Sequence, residues 1–168
     1  MTVEKEEIAS RVVELLKEKG MRLASAESLT GGMVSEWITA VPGASEVLEC
    51  GVCSYSNRIK HEVLGVSLHT LDTYTEYSAQ TAEEMARGVM ELAGADIGVS
   101  TTGIAGPGGG SEEKPVGLVY VGVSAKNYSK TLELHLFEEG RGIREEIRRL
   151  ACTYALKAVI KALSEEIA

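Results

Sequence analysis

Aromatic residues are scarce in this 168-residue chain, which has one Phe, one Trp and six Tyr. The core must therefore be built from Val, Ile, Leu and Ala. Long hydrophobic runs are missing too. No stretch approaches the roughly 18 apolar residues of a membrane-spanning helix. The opening MTVEKEEIAS has no apolar h-region, which excludes a secretory signal peptide and leaves a cytoplasmic protein as the simplest expectation. With only three cysteines there is no disulfide framework. Basic residues are the minority, 17 against 25 acidic, for a net charge of −8. Such a chain does not bind nucleic acid through its overall field, so any anionic ligand must be held by local donors. With 44% hydrophobic and 25% charged residues, the chain reads as one globular domain spanning residues 1–168.

Cys50 and Cys53 form an isolated C-x-x-C. Its surroundings, EVLECGVCSYS, read as a strand, where residues three apart face opposite ways and cannot share a ligand. The expectation is two small buried side chains. His61, His69 and His135 have no metal-ligand spacing, and no metal is expected.

Residues 3–19 carry Ile8, Val12, Leu15 and Leu16 on one stripe, which predicts a helix stopped by Gly20. MRLASAE predicts a strand and TGGMVSEWITAV a second helix ended by Pro42-Gly43. Residues 46–55 predict another strand, and NRIKHEVLGV a short helix. SLHTLDTYTEYS reads as a polar connection. AQTAEEMARGVMELAGA predicts a helix and DIGVSTTG a strand entering a glycine-rich loop. VGLVYVGVSA and KTLELHLF predict a hairpin turning at residues 127–129. The last segment, residues 142–167, predicts a long helix with Ile143, Ile147, Leu150 and Tyr154 on its apolar side. Alternating helices and strands followed by a hairpin imply an α/β fold with a mixed sheet and helices on both faces.

Four stretches could carry chemistry. In AESLTGG, residues 26–32, Ser28 stands where a strand hands over to a helix. It reads either as a helix cap, with Gly31 and Gly32 relieving crowding, or as a nucleophile facing a ligand at the helix N-terminus. Thr30 is the alternative cap. The G-x-S-x-G and S-x-x-K signatures are both missing. In CSYSNRIK, Lys60 lies just inside a short helix after Tyr55. Burial would keep part of the amine neutral and fit it to act as a base, with the tyrosine hydroxyl as relay. Otherwise the pair is a surface lysine and a half-buried tyrosine. STTGIAGPGGGSEEKPVG, residues 100–117, crowds glycines and prolines at a strand end. It is either a nest of N–H groups for a phosphate or carboxylate, or a plain connector. It matches neither G-x-x-x-x-G-K-[ST] nor G-x-G-x-x-G. Finally, Arg141, Arg144, Arg148 and Arg149 crowd the start of the last helix, where cations are disfavoured. They either pair with glutamates and other elements or bind a phosphate.

AESLTGG, YSNRIKHEVLGV and TGIAGPGGGSEEKPVG, in this order, resemble the C-terminal domain of the CinA competence-damage proteins. That domain also occurs alone as a nicotinamide-nucleotide amidase (PncC-like), and the resemblance spans about residues 5–163. It implies a three-layer α/β/α domain with a mixed sheet. It implies hydrolysis of the carboxamide of nicotinamide mononucleotide to nicotinate mononucleotide and ammonia, with no cofactor. In the family pattern Ser28 matches the nucleophile, Tyr55 and Lys60 the assisting pair, Thr102 the hydroxyl residue before G-I-A-G-P, and Arg144 the arginine near the final helix. Many members have cysteine after the serine; Leu29 stands there in this chain and supplies no chemistry.

The expected scheme has Lys60, helped by Tyr55, deprotonating Ser28 for attack on the carboxamide. Backbone N–H groups near Gly31–Gly32 or Thr102–Gly103 would hold the oxyanion. The glycine loop, including Gly103 and Gly106, would anchor the 5′-phosphate with Arg144. Thr30 is included among the substrate contacts. The alternatives are hydrolysis of another amide, or a non-catalytic pyridine-nucleotide sensor or binding module of competence or DNA repair. No nucleic-acid or membrane partner is expected. A homodimer or higher homo-oligomer is.

Overall fold

A computed structural model describes residues 3–167. Its elements run α1 (Val3–Lys19), β1 (Leu23–Glu27), α2 (Met33–Thr39), β2 (Leu48–Cys53), α3 (Asn57–Leu64), α4 (Leu68–Tyr74), α5 (Ala79–Ala93), β3 (Ile97–Gly103), β4 (Leu118–Ala125), β5 (Tyr128–His135) and α6 (Arg144–Lys161). The five strands form one sheet in the order β2-β1-β3-β4-β5. β1 pairs in parallel with β2 and β3, while β3–β4 and β4–β5 are antiparallel. This is the mixed α/β sheet that the alternation of elements implies. Among the described residues no helix is long and apolar enough to cross a membrane.

The helices divide between the two faces. On one face α1, α2 and α6 cover Leu23, Ile97, Val99, Val121 and Val123, with Ile8, Val12, Leu15 and Leu16 of α1 buried among them. On the other, Leu64, Val66, Leu71, Met85 and Val89 pack on Ala24 and Ala26. The central strands β1 and β3 are buried along their whole length, as strands covered on both faces must be. The edge strand β2 alternates between half-buried and exposed positions.

Register sets the location of the site. Glu27, the last residue of β1, pairs with Cys53 of β2 and with Thr101 of β3. β1 and β2 thus end level with each other, and parallel β3 runs two residues further, to Gly103. Ser28 and Ser54, which follow β1 and β2, and Thr102, near the end of β3, therefore lie side by side at the carboxyl edge, where ligands gather in sheets of this kind.

Four expectations need correction. Residues 67–78 are not merely a connection: Leu68–Tyr74 form α4, capped by Ser67 accepting from the Thr70 N–H. The hairpin turns at residues 126–127, because Ala125 pairs with Tyr128. On α6, Ile147 and Leu150 are buried, but Ile143 is the exposed N-cap residue and Tyr154 is half-buried, its hydroxyl donating to Glu139. Cys50 is half-buried and Cys53 exposed; partial burial follows from their place on an edge strand.

α5 lies unusually close to the sheet. A Cβ on Gly98 would stand 2.0 Å from the Ala86 carbonyl oxygen, and one on Gly122 2.4 Å from that of Ala82. Neither backbone can yield without lifting α5 from β3 and β4. Gly98→Ala is expected to destabilise the fold by about 2–3 kcal/mol, read as a lower urea midpoint with an unchanged m-value.

Candidate active site

The turn from β1 to α2 is held by a carboxylate that local sequence rules do not anticipate. Glu27 is buried to 1% exposure. Its Oε2 accepts from the N–H groups of Gly32 and Val34, each at 3.0 Å, and from Thr30 Oγ1 at 2.7 Å. Its Oε1 accepts from the Ser35 N–H at 3.0 Å and from Ser35 Oγ at 3.1 Å. The orphan donors of the α2 N-terminus are thus satisfied from five or more residues upstream. Gly32, the N-cap residue, makes no side-chain cap bond. Thr30 is not the cap; its hydroxyl links Glu27 to Thr101 Oγ1 at 2.7 Å.

From the other side, Arg148 donates to the carbonyls of Leu29 at 2.8 Å and Thr30 at 2.9 Å. Ser28 donates its N–H to the Thr101 carbonyl. The turn bearing the Ser28 hydroxyl is therefore clamped by β1, β3 and α6 together.

Lys60 comes to this serine from β2. Ser56 caps α3 by accepting from the Ile59 N–H, and Lys60 sits in the first turn. Helical side chains lean toward the N-terminus, so its stem runs back over the β2 end. The Nζ lies 3.2 Å from Ser28 Oγ and donates to the Ser54 carbonyl at 3.0 Å. Lys60 is 1% exposed, and among the described residues no carboxylate is within ion-pair distance of it. Burial pushes its ammonium below the usual 10.5, and the Glu76 charge opposes part of that shift.

Ser28 and Lys60 open onto a cavity of about 240 Å³ whose lining includes Leu29, Tyr55, Asn57, Glu76, Tyr77, Gly103, Ala105, Gly106 and Arg144. Arg144 donates to the Gly106 carbonyl and, at 3.2 Å, to the Tyr55 hydroxyl. Tyr55 is 67% exposed and makes no hydrogen bond to Lys60 or Ser28. Of the residues singled out from the sequence, Ser28, Tyr55, Lys60, Gly103, Gly106 and Arg144 line this cavity. Thr30, Gly31, Gly32 and Thr102 do not. The N–H groups of Gly31 and Gly32 are already given to the Ser28 carbonyl and to Glu27, so they cannot also hold an oxyanion. Leu29 and Ala105 line the cavity, and their N–H groups donate to no acceptor among the described residues.

Glu76 and Tyr77 lie in the stretch read from sequence as a connection. Their backbone is fixed from three sides. Buried Thr102 donates to the Glu76 carbonyl at 2.6 Å. Lys114, from the glycine-rich loop, donates to the carbonyls of Tyr74 and Tyr77 and to Thr75 Oγ1. Ser78 and Thr81 donate to the Thr75 carbonyl. Thr75 itself has φ 69°, a conformation that costs a non-glycine residue about 1–3 kcal/mol. The arginine cluster divides likewise: Arg144 and Arg148 serve the site, while Arg149 pairs with Glu146 and Glu4. Among the described residues no group of three or more His, Cys, Asp or Glu side chains gathers to hold a metal ion.

Comparison with known proteins identifies the group to which this architecture is native. The family model of the CinA C-terminal domain matches residues 5–163. A competence-damage inducible protein of Caldanaerobacter subterraneus subsp. tengcongensis is 49% identical over 163 residues, covering 96% of this chain and 38% of the relative. A CinA-like protein of Kosmotoga olearia is 45% identical over 163 residues, with the same two shares. The chain thus spans about 38% of the length of the curated relatives it matches. Among solved structures, the competence/damage inducible protein CihA of Agrobacterium tumefaciens superposes with a TM-score of 0.91 at 38% identity, covering 98% of this chain and 100% of that one. A CinA-superfamily protein of Klebsiella pneumoniae gives 0.89 at 31% identity, covering 95% and 98%.

Glu27→Gln replaces one accepting oxygen by an amide that faces backbone donors. It is expected to cost about 3 kcal/mol, the penalty of unmade bonds to a buried polar group. Chemical denaturation checks this, and the loss should exceed that of Glu27's exposed neighbours on α2, such as Glu36→Gln.

Proposed function

The chain belongs to the CinA C-terminal domain family, and from that premise we propose that it is an amidohydrolase acting on the carboxamide of nicotinamide mononucleotide. One observation carries the reading: a fully buried lysine, with no carboxylate within ion-pair distance among the described residues, has its Nζ 3.2 Å from the hydroxyl of a rigidly held serine that lines a cavity. A purely structural lysine would be placed at lower cost at the surface. A buried amine with a lowered pKa is a base suited to activating a hydroxyl.

In this scheme the neutral Lys60 amine takes the Ser28 proton as Oγ bonds to the carboxamide carbon. The oxyanion is held by the free N–H groups of Leu29 and Ala105. Collapse breaks the C–N bond, and Lys60 returns the proton to the departing nitrogen, releasing ammonia and leaving an acyl-serine. Water then adds, again giving a proton to Lys60. The second collapse expels Ser28 Oγ, which is reprotonated, and leaves the carboxylate. Arg144 and the loop at Gly106 receive the 5′-phosphate, which fixes the ring relative to Ser28. Tyr55 serves here as a wall and as a partner that orients Arg144, since its hydroxyl is engaged by that guanidinium.

Ammonia release from nicotinamide mononucleotide is the direct test. Ser28→Ala and Lys60→Met are each expected to lower kcat at least about 10³-fold. Full turnover by Ser28→Ala would refute the nucleophile, and tight binding without turnover by the unaltered protein would make the domain a sensor. The rate should rise with pH through a pKa below 10.5, because the neutral amine is the active form and burial depresses that pKa. At every pH below 10.5 the folded state binds this proton less readily than the unfolded chain does, so the ammonium opposes folding. Lys60→Met should therefore keep or raise Tm, by about 2–4 °C per kcal/mol relieved, while abolishing activity.

A further inference from the structure

Two opposite charges face the same cavity without neutralising each other. Among the described residues, no lysine or arginine is within ion-pair distance of Glu76, whose side chain meets only Asn57 Nδ2 at 3.5 Å. Arg144 likewise has no carboxylate partner; it is oriented by the Gly106 carbonyl and the Tyr55 hydroxyl. Both residues line the cavity that holds Ser28 and Lys60. Glu76 is half-buried and, among the described residues, its carboxylate has one side-chain hydrogen bond and no ion pair, which leaves acceptor capacity for a ligand in the cavity. Its backbone is nevertheless fixed by Thr102, by Lys114 and by the left-handed Thr75 beside it. Tyr55 and Tyr77 line the same cavity, and aromatic faces favour cations.

We propose that Glu76, flanked by Tyr55 and Tyr77, is the subsite that recognises a cationic ring. The cavity then selects ligands that join a positively charged N-substituted ring to an anionic tail. This rests on the amidase reading above and names what that reading leaves open, the residue that senses the ring's charge. Arg144 and the glycine-rich loop take the anion. Glu76 takes the cation and is a specificity residue for the ring.

The test compares two ligands that differ by one hydride on the ring: nicotinamide mononucleotide, whose ring is cationic, and its 1,4-dihydro form, whose ring is neutral. Calorimetry on the Ser28→Ala protein is expected to give about tenfold tighter binding of the cationic form, the scale of a close charge pair at a binding site. Adding Glu76→Gln should bring the two affinities to parity by weakening the cationic form only. Glu76→Asp should retain the preference. Equal affinities in Ser28→Ala alone, an equal loss for both ligands in Glu76→Gln, no change in Glu76→Gln, or binding of neither ligand would each overturn the proposal. Ammonia release by the protein with Ser28 intact is read separately. A charge preference without ammonia supports the subsite while refuting the amidase, and ammonia without a preference does the reverse.

Discussion

The Glu27 carboxylate organises the site without lining its cavity. Its two oxygens accept from the N–H groups of Gly32, Val34 and Ser35 and from the hydroxyls of Ser25, Thr30 and Ser35, all within eight residues of it. One side chain thereby ends β1, starts α2 and dictates the path of the five residues between. A reactive hydroxyl on such a turn loses little freedom on reaching its reactive geometry, because the ordering is already present in the folded state. The linkage continues outward. Thr30 ties Glu27 to Thr101 of β3, and Arg148 ties the carbonyls of Leu29 and Thr30 to α6. Ser28 is thus fixed to both the sheet and the last helix.

Arginines at a helix N-terminus work against the helix dipole. In α6 the conflict is resolved by reach. Arg144 and Arg148 leave their own helix end and donate to carbonyls of the glycine-rich loop and the β1–α2 turn. The apolar underside of the same helix, Ile147, Leu150 and Ala151, packs with Leu29, Ala105 and Leu136. Leu29 therefore has two duties: its side chain packs in the core beneath the site, and the residue also lines the cavity with its N–H not given to any acceptor among the described residues. An apolar residue suits that position, since a polar one would need a partner in the core.

The sequence made most elements legible because their periodicity was strong. α1, α5 and the five strands fall within two or three residues of their expected places. α4 was hidden because Leu68–Tyr74 buries only Thr70 and Leu71, too few for an apolar stripe. The site was legible in part. Ser28 and Lys60 are 32 residues apart, and no spacing rule brings them together. The register of β1 with β2 does so, by ending both strands at Glu27 and Cys53. The cap was misassigned to Thr30 because local rules look for a hydroxyl or Asx side chain at the helix start. Here a glutamate reaches forward from the preceding strand instead. Glu76 gave no signal at all: it is one acid among many, and only the bonds of Thr102 to its carbonyl and of Lys114 to the residues on either side set it apart.

The two carboxylates near the site have different tasks. Glu27 spends its acceptors on backbone donors. Glu76 is left open to the cavity, and its charge holds the Lys60 pKa up against the downward push of burial. Those opposed effects define the useful window for a base. Burial alone would yield a neutral amine that binds protons too weakly to pull one from a hydroxyl. A close, fully paired carboxylate would yield an ammonium that cannot accept one. A carboxylate beyond ion-pair distance, in a cavity that a cationic ligand can enter, lies between these limits. It also couples binding to chemistry. A cation bound beside Glu76, as proposed, would screen its effect on Lys60, lower that amine's proton affinity and favour the neutral form in the filled site.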